Sequence, residues 1–253
     1  MKHLVTRRGI IGSLVAGAGL AVSGCDRLGQ SEGFREALFS AEKLTMRAQR
    51  LISDRDALAR EFSAAEMSPV FRMNGNTLPA DPAYARHAAN GFADWRLVVD
   101  GLVERSLALS LVAIRALPAR TQITRHDCVE GWSAIGKWTG VPLKTLLDVA
   151  RLRDGARYVI FHCADDFRGT RYYESIDLID AFHPQTILAW GMNDAPLPIG
   201  HGAPLRLRVE RQLGYKHAKF VTRVEVASTL ADTGGGKGGY WEDRVGYEWY
   251  AGI

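Results

Sequence analysis

The sequence predicts an α+β or mostly-β fold, and two observations support that prediction. Six short runs rich in apolar and β-branched residues follow one another with few helical patterns between them, unlike a regular strand–helix repeat. Before them, apolar residues between Phe34 and Phe62 recur at helical spacing with charged residues on the opposite face. The predicted strands are 95–99, 122–127, 158–162, 187–192, 205–209 and 220–226.

Short helices and irregular segments complete the prediction. Pro142 suits the first turn of a helix that continues to Ala150, and residues 177–182 form a second short helix. Residues 69–91 are rich in Pro, Asn, Gly and Ala and should be irregular. The run 234–239 is glycine-rich and flexible, and it lacks the Ser or Thr that follows the Lys of a P-loop.

The first 24 residues have the pattern of an export signal. Lys2, Arg7 and Arg8 precede an apolar run that is too short to span a bilayer comfortably. The paired arginines resemble a twin-arginine signal, although an ordinary secretory signal with a chance Arg pair stays open. A twin-arginine signal favours a cofactor, because that route carries proteins that have already folded.

Cys25 resembles the acylated first residue of a lipoprotein. A lipid there would hold the protein at the inner membrane, on the periplasmic side, without spanning it. The formal net charge is +4, of which the signal contributes three, so the mature chain has no basic footprint for nucleic acid.

The predicted organisation has one sizeable domain. Residues 1–24 are the signal, 25–33 a tether, 34–66 a helical N-terminal segment, 67–230 the main domain and 231–253 a Gly-rich and aromatic tail.

Cys128 is the principal candidate for chemistry, because it follows the alternating segment 121–127 at a turn. Several interpretations stay open: a disulfide with Cys163, a buried free thiol, a nucleophile, or a metal ligand. The spacing of His and Cys does not match zinc motifs. A single thiolate fits a soft metal whose remaining ligands come from a cofactor.

Five runs, in matching order between residues 71 and 226, carry a family resemblance. They are RHDCVEGWS at 125–133, WTGVPL at 138–143, YVIFHCAD at 158–165, HGAPLR at 201–206 and GYKHAK at 214–219. Together they resemble sulfite-oxidase-type molybdopterin enzymes. The resemblance is strongest to the bacterial single-domain branch near the protein-methionine-sulfoxide reductase catalytic subunit. It implies a sulfite-oxidase-like domain of mixed β-sheets and short helices.

The resemblance implies that Cys128 is the sulfur ligand of molybdenum, beside the two dithiolene sulfurs of one pterin in its mononucleotide-free form. Cys163 stands where the reductase branch has a Thr, and His201 where the family has an Asn. Arg and Lys donors suit a dianionic phosphate. The cofactor-binding residues so implied are Asn74, Cys163, His201, Arg206, His217, Ala218 and Lys219.

The resemblance also bears on the substrate. Sulfite oxidases have arginines after the metal-binding Cys, whereas Glu130 and Trp132 occupy that stretch here and would disfavour sulfite. Arg125, Arg168 and Arg171 could still approach the mouth of the site. We therefore expect oxygen-atom or electron transfer on an S-oxide or N-oxide, carried by a small molecule or a protein. Trp132 and the turn 165–167 are candidates for the walls of the pocket, although packing and turn formation explain them more simply.

The family also suggests partners. The electron partner would be a membrane cytochrome b or another separate redox protein. Because the haem and dimerisation domains of larger members have no counterpart in the sequence, a monomer is expected. The alternative hypothesis is a cofactor-free lipoprotein that binds a partner, with a Cys128–Cys163 disulfide and with the helical segment and aromatic tail as interaction surfaces.

Overall fold

The computed structural model describes residues 31–253 in two units that divide after Ile52. The predicted export signal, the acylation site Cys25 and most of the tether lie outside the described residues. In the first unit the described structure is helix α1 (Glu32–Ile52). Within residues 31–253, none of the helices combines the length and apolar character that a membrane crossing requires.

Helix α1 is shorter than the predicted helical segment, although the apolar spacing continues beyond it. Asp54 forms a local turn instead, in which its Oδ1 accepts a hydrogen bond from the Asp56 backbone N–H at 2.8 Å. Asp side chains that bond to nearby backbone groups compete with helix formation. The segment after Ile52 therefore leaves the helical path, and only a short 3-10 turn (Ala64–Glu66) follows before the main domain.

The second unit contains two five-stranded sheets. The first has the order β2-β1-β10-β5-β6, in which β1 and β10 are parallel and the other neighbours antiparallel. Its strands are β1 (Arg96–Gly101), β2 (Leu107–Ser110), β5 (Tyr158–Phe167), β6 (Thr170–Asp177) and β10 (Val221–Ala227).

The second sheet has the order β3-β4-β7-β8, and β9 also pairs with β7. Its strands are β3 (Arg120–Asp127), β4 (Ser133–Pro142), β7 (Ile187–Met192), β8 (Ala195–Pro196) and β9 (Arg206–Arg208). Five short helices join or flank the two sheets: α2 (Pro82–Ala89), α3 (Leu111–Arg115), α4 (Leu143–Ala150), α5 (Leu178–Ala181) and α6 (Tyr240–Val245). The predicted α+β class, with mixed sheets and short helices, is confirmed.

All six predicted strands are present, but β2, β4, β6 and β8 were not predicted. In β4 the glycines interrupt the strand pattern. At Gly140 the packing of β4 against β7 requires a glycine. A Cβ atom at this position would lie 2.3 Å from the Leu188 carbonyl oxygen of the neighbouring β7. The close approach of the two backbones therefore requires a residue without a side chain.

Helix α2 corrects the prediction that residues 69–91 are irregular. The Asp81 side chain accepts a hydrogen bond from the Ala83 backbone N–H at 2.8 Å, and Pro82 begins the helix. An Asp at the N-cap with a Pro after it is a strong helix start. This local signal outweighs the Pro- and Gly-rich composition of the surrounding segment.

Candidate active site

Cys128 lies in the turn between β3 and β4, one residue beyond the end of β3. Its backbone N–H donates to the Trp132 carbonyl at 2.9 Å, and its own carbonyl accepts from Gly131 N–H at 3.0 Å. Gly131 has φ of 85°, a left-handed conformation that favours glycine. Two antiparallel strands therefore fix the position of the thiol, which is 8% exposed. Burial raises the pKa of Cys128.

A cleft with about 150 Å³ of water-accessible space opens beside Cys128. Acidic, basic and aromatic side chains all contribute to it. Its lining comprises Asn74, Gly75, Asn76, Cys128, Val129, Glu130, Asp165, Phe167, Tyr172, Gly214, Tyr215, His217, Lys219, Trp241 and Tyr247. Three predicted cofactor-binding residues, Asn74, His217 and Lys219, thus share one cleft with Cys128.

Lys219 lines this cleft, and Arg206 is joined to it by a hydrogen bond to the lining residue Asn74. Lys219 Nζ donates to the Asn74 carbonyl at 2.6 Å, to the Gly200 carbonyl at 3.1 Å and to the Asn76 carbonyl. Arg206 Nη2 donates to Asn74 Oδ1 at 3.3 Å. Among residues 31–253, neither cation forms an ion pair with a carboxylate, and the Arg206 side chain is 0% exposed. Burial, with Arg206 nearby, lowers the pKa of Lys219 to about 7.

Three histidines surround the same region and are held neutral. Burial lowers the pKa of His126 and of His217 well below the ordinary value, and that of His201 to about 4. His126 Nδ1 accepts a hydrogen bond from Arg208 Nη1 at 3.0 Å, which assigns its proton to Nε2. Within the described chain, His126 Nε2, His201 Nδ1, His217 Nδ1 and Arg206 Nε are buried with no hydrogen-bond partner.

These observations test whether a molybdenum–pterin group fits the cleft. Buried polar atoms are normally hydrogen-bonded, so unpartnered donors on Arg206 and His126 indicate that a ligand completes the site. Two buried cations without carboxylates match an anionic phosphate. A thiol in the same cleft offers the sulfur ligand that a soft metal prefers. The donor set therefore fits the cofactor that the family resemblance implies.

Four of the seven predicted cofactor contacts, Cys163, His201, Arg206 and Ala218, do not line the cleft. Cys163 and Ala218 belong to the buried hydrophobic cluster and do not line the cleft. The Ala218 carbonyl accepts from Leu207 N–H at 2.8 Å, a bond within the fold. His201 also lies outside the lining, but its carbonyl accepts from Arg206 Nη1 at 3.2 Å. The roles of these residues in binding the cofactor stay predictions.

Cys128 and Cys163 are both free thiols. The disulfide that the alternative hypothesis required is therefore absent from the structure of the domain. Cys163 instead pairs in register with Val221 across β5 and β10 and is 4% exposed.

Of the residues considered as walls of the pocket, some line the cleft and one does not. Asp165 and Phe167, predicted as turn residues, line the cleft, whereas Trp132 does not. Asn76 Nδ2 donates to Asp165 Oδ2 at 3.0 Å, and burial raises the pKa of Asp165 to about 6. Trp132 Nε1 donates to Glu130 Oε2 at 3.0 Å.

No arginine is among the residues that line the described cleft. Arg125 pairs with Asp127 at 2.9 Å, and Arg171 pairs with Asp81 at 2.7 Å. Glu130 is exposed at the mouth. Once Lys219 is matched to a phosphate, the described lining offers no further Lys or Arg to concentrate a second, small dianion near Cys128.

Sequence reasoning missed the contribution of the tail. Trp241 and Tyr247 line the cleft, although the tail was predicted to be flexible or an interaction surface. The density of Tyr and Trp between residues 240 and 250 was a usable signal, because large aromatic side chains usually pack against something.

Comparisons with known proteins identify the family of this chain. Residues 83–233, more than half of the chain, match the family described as "Oxidoreductase molybdopterin binding domain". The matched region includes Cys128, Arg206 and Lys219.

Individual relatives carry related names. A provisionally named protein-methionine-sulfoxide reductase subunit, YedZ1, of Azospira oryzae is 46% identical over 63% of this chain and 56% of its own length. The catalytic subunit MsrP of protein-methionine-sulfoxide reductase from Xanthomonas campestris pv. campestris is 34% identical over 60% of this chain and 51% of its own. The matches thus span about half the length of these curated relatives.

One solved structure was also similar. The sulfane dehydrogenase SoxCD of Paracoccus pantotrophus aligns with a TM-score of 0.49 and 23% identity, over 54% of this chain and 39% of that one. The extent of the family match, with a cleft whose donors suit the cofactor, shows that this chain belongs to the oxidoreductase molybdopterin-binding domain family of the sulfite-oxidase type.

Proposed function

We propose that this protein is an exported oxidoreductase that reduces an S-oxide or N-oxide at a molybdenum centre held by Cys128. The observation that carries the proposal is the cleft itself. The cleft places a nearly buried thiol beside Lys219. Asn74 accepts hydrogen bonds from both Lys219 and Arg206, and neither cation has a carboxylate partner in the described chain. Family membership makes the pterin the natural occupant.

The residues have separate roles toward this group. Cys128 would supply the protein's sulfur ligand, while Arg206 and Lys219 would hold the phosphate. Two unpaired cations suit one dianionic phosphate, which favours the form without a nucleotide. When bound, the cofactor supplies a metal that changes oxidation state and exchanges an oxygen atom with the substrate. Burial keeps the three histidines neutral. His126, whose Nδ1 accepts from Arg208, carries its proton on the unpartnered Nε2 and so can hydrogen-bond the cofactor without adding charge.

The site favours an uncharged or cationic oxide over sulfite. Glu130 lies at the mouth, no arginine is among the described lining residues, and the lining cation Lys219 is assigned to the cofactor phosphate, so an anionic substrate would meet a carboxylate. The names of the relatives point in the same direction, since they refer to methionine sulfoxide. Reduction of a sulfoxide to a thioether consumes two electrons and two protons and releases water.

The electrons would come from a separate redox protein. A membrane cytochrome b is the partner that the family suggests, and a lipid on Cys25 would keep the enzyme near it. We further propose a periplasmic location after twin-arginine export and a monomeric enzyme.

Metal analysis of the exported protein tests the proposal. We expect molybdenum in a 1:1 ratio in the wild type, its loss in Cys128→Ala and its retention in Cys163→Ala, which removes the other buried thiol as a matched control. With a reduced dye as electron donor, the wild type should reduce oxides and turn over sulfite poorly. Protein that lacks molybdenum, or robust sulfite oxidation, would contradict the proposal.

A further inference from the structure

The C-terminal segment 234–253 lies beyond the residues that match the family, yet it forms part of the cleft. Trp241 begins this contribution on α6, and Tyr247 follows just after the helix. We call these two side chains the tail wall. Since the family match ends at residue 233, the tail wall is a feature of this chain that the family assignment does not explain.

Aromatic contacts continue the tail wall into the body of the domain. The ring of Trp241 lies 5.2 Å from that of Phe167 and 6.2 Å from that of Tyr247. Tyr247 in turn packs on Tyr215 with ring centroids 5.0 Å apart. Phe167 and Tyr215 also line the cleft. One side of the cleft is therefore a continuous aromatic surface.

A buried ionic contact, which we call the clasp, holds the tail in place. Lys216 Nζ donates to Glu242 Oε1 on α6 at 2.7 Å and also to Glu174 Oε1 on β6. All three side chains are at most 1% exposed. Gly239 permits this packing, because a Cβ there would lie 2.1 Å from Glu242 Oε2.

Backbone hydrogen bonds extend the attachment to the end of the chain. Leu213 N–H donates to the Ala251 carbonyl at 2.9 Å, and Ile253 N–H donates to the Arg211 carbonyl at 3.0 Å. The Tyr215 hydroxyl donates to the Glu248 carbonyl at 2.6 Å. The tail wall is thus fixed on the same segment that carries His217 and Lys219.

The aromatic surface begins close to Cys128. Gly214 packs against the end of β3, where a Cβ would lie 3.2 Å from the Asp127 carbonyl oxygen and 2.4 Å from His126 Nε2. Tyr215 follows directly and carries Tyr247. The polar groups that suit a phosphate, by contrast, gather around Asn74 through Lys219 and Arg206. The cleft therefore has a charged part and an aromatic part.

We propose that the tail wall determines substrate specificity, by packing against the apolar substituent of a neutral S-oxide whose oxygen faces the metal. This inference rests on the proposed function. Trp241 and Tyr247 are only partly buried, so their faces are available to a transient ligand. Aromatic faces favour methyl groups, aryl rings and the sulfur of the thioether product. Glu130 at the mouth discriminates against anionic analogues.

The test compares two sulfoxides that differ in their apolar substituent, dimethyl sulfoxide and methyl p-tolyl sulfoxide, reduced by a dye-coupled holoenzyme. Trp241→Ala and Tyr247→Ala should each raise KM for the aryl sulfoxide by about threefold to tenfold, from the usual worth of an aromatic contact. The KM for dimethyl sulfoxide should change less, and kcat should stay unchanged. Trp241→Phe should restore most of the loss.

Val245→Ala is the matched control, because Val245 lies on the same helix, is exposed and does not line the cleft. Molybdenum content is measured in every variant. Loss of molybdenum in Trp241→Ala and Tyr247→Ala would show that the tail wall holds the cofactor, and would overturn the inference. Unchanged KM values with full molybdenum would overturn it as well. A wild type that carries molybdenum but reduces neither sulfoxide would contradict the proposed function itself, and the inference with it.

Discussion

Two lysines three residues apart show how differently this protein treats buried positive charge. Lys216 contacts the carboxylates of Glu174 and Glu242, and all three are shielded from solvent. Lys219 contacts three backbone carbonyls and, in the described chain, no carboxylate. A buried charge needs compensation. Lys216 receives it from the protein, whereas Lys219 is left for an anion that the protein does not supply.

Arg206 and Arg208 repeat the contrast on a single strand. Arg208 forms two hydrogen bonds with the Glu210 carboxylate, at 2.9 and 2.6 Å, with both side chains fully buried. Arg206 donates to the His201 carbonyl and the Asn74 amide oxygen and lies over the Trp138 ring, and among residues 31–253 it has no carboxylate partner. A carboxylate partner therefore distinguishes the structural cations, Lys216 and Arg208, from Lys219 and Arg206, which are available to a ligand. Replacing each cation by a neutral residue tests that distinction.

The largest expected effect comes from comparing Arg208→Met with Arg206→Met. Arg208→Met leaves the Glu210 carboxylate buried without its cation, which should lower the free energy of unfolding by about 3–5 kcal/mol. Arg206→Met strands no carboxylate, so its stability should change little while its molybdenum content falls. Chemical denaturation and metal analysis measure the two outcomes, and equal stability losses would contradict the distinction.

Lys216→Met should come next, with a loss of about 3 kcal/mol. The effect is smaller because one of the two carboxyls can take up a proton: burial and the neighbouring Glu242 raise the pKa of Glu174 well above its ordinary value. Lys219→Met is the matched control and should cost about 1 kcal/mol, since it removes hydrogen bonds to carbonyls but no carboxylate partner. A Lys219→Met variant less stable than Lys216→Met would reverse the comparison.

An effect of similar size but opposite sign is expected from Asp165→Asn, which tests a carboxylate in the cleft. Its folded pKa of about 6 lies above the reference value of 3.8, so the folded state binds more protons between these values and stability falls as pH rises from about 4 to about 6. The variant should lose this fall and exceed the wild type by about 3 kcal/mol at pH 7, the free-energy equivalent of raising the pKa from 3.8 to about 6, which already includes the charge of Lys219. At pH 4 the two should be nearly equal in urea unfolding. Parallel stability profiles across pH would refute the assignment.

The sequence predicted much of the scaffold for physical reasons that are local. Strand periodicity located six strands, including β7 with its observed bounds, and Pro142 marked the start of α4. It failed where tertiary contacts override local pattern. Gly140 in β4 is required by the adjacent backbone of β7, and no local rule distinguishes such a glycine from a loop residue.

The same limit applies to the candidate site. Cys128, Asn74, His217 and Lys219 could be selected from motifs in the sequence, and the structure places them in one cleft. Cys163 matched a motif as well, yet it belongs to the hydrophobic core, whereas Asp165, two residues further along β5, lines the cleft. Regular alternation would place both side chains on the same face, but the pairing of β5 with β6 is irregular between His162 and Asp166. Periodicity alone does not say which face of β5 is buried against which neighbour.

By itself, the sequence determined the fold class, the turn that carries Cys128 and the family to which the chain belongs, because these depend on residue order over short stretches. The tertiary structure decided which buried cations lack a counter-charge and which aromatic side chains border the cleft. Glu174 and Glu242 lie 42 and 26 residues from Lys216 along the chain. Only folding brings them together, and their presence at Lys216 and absence at Lys219 distinguishes a structural ion pair from a ligand site.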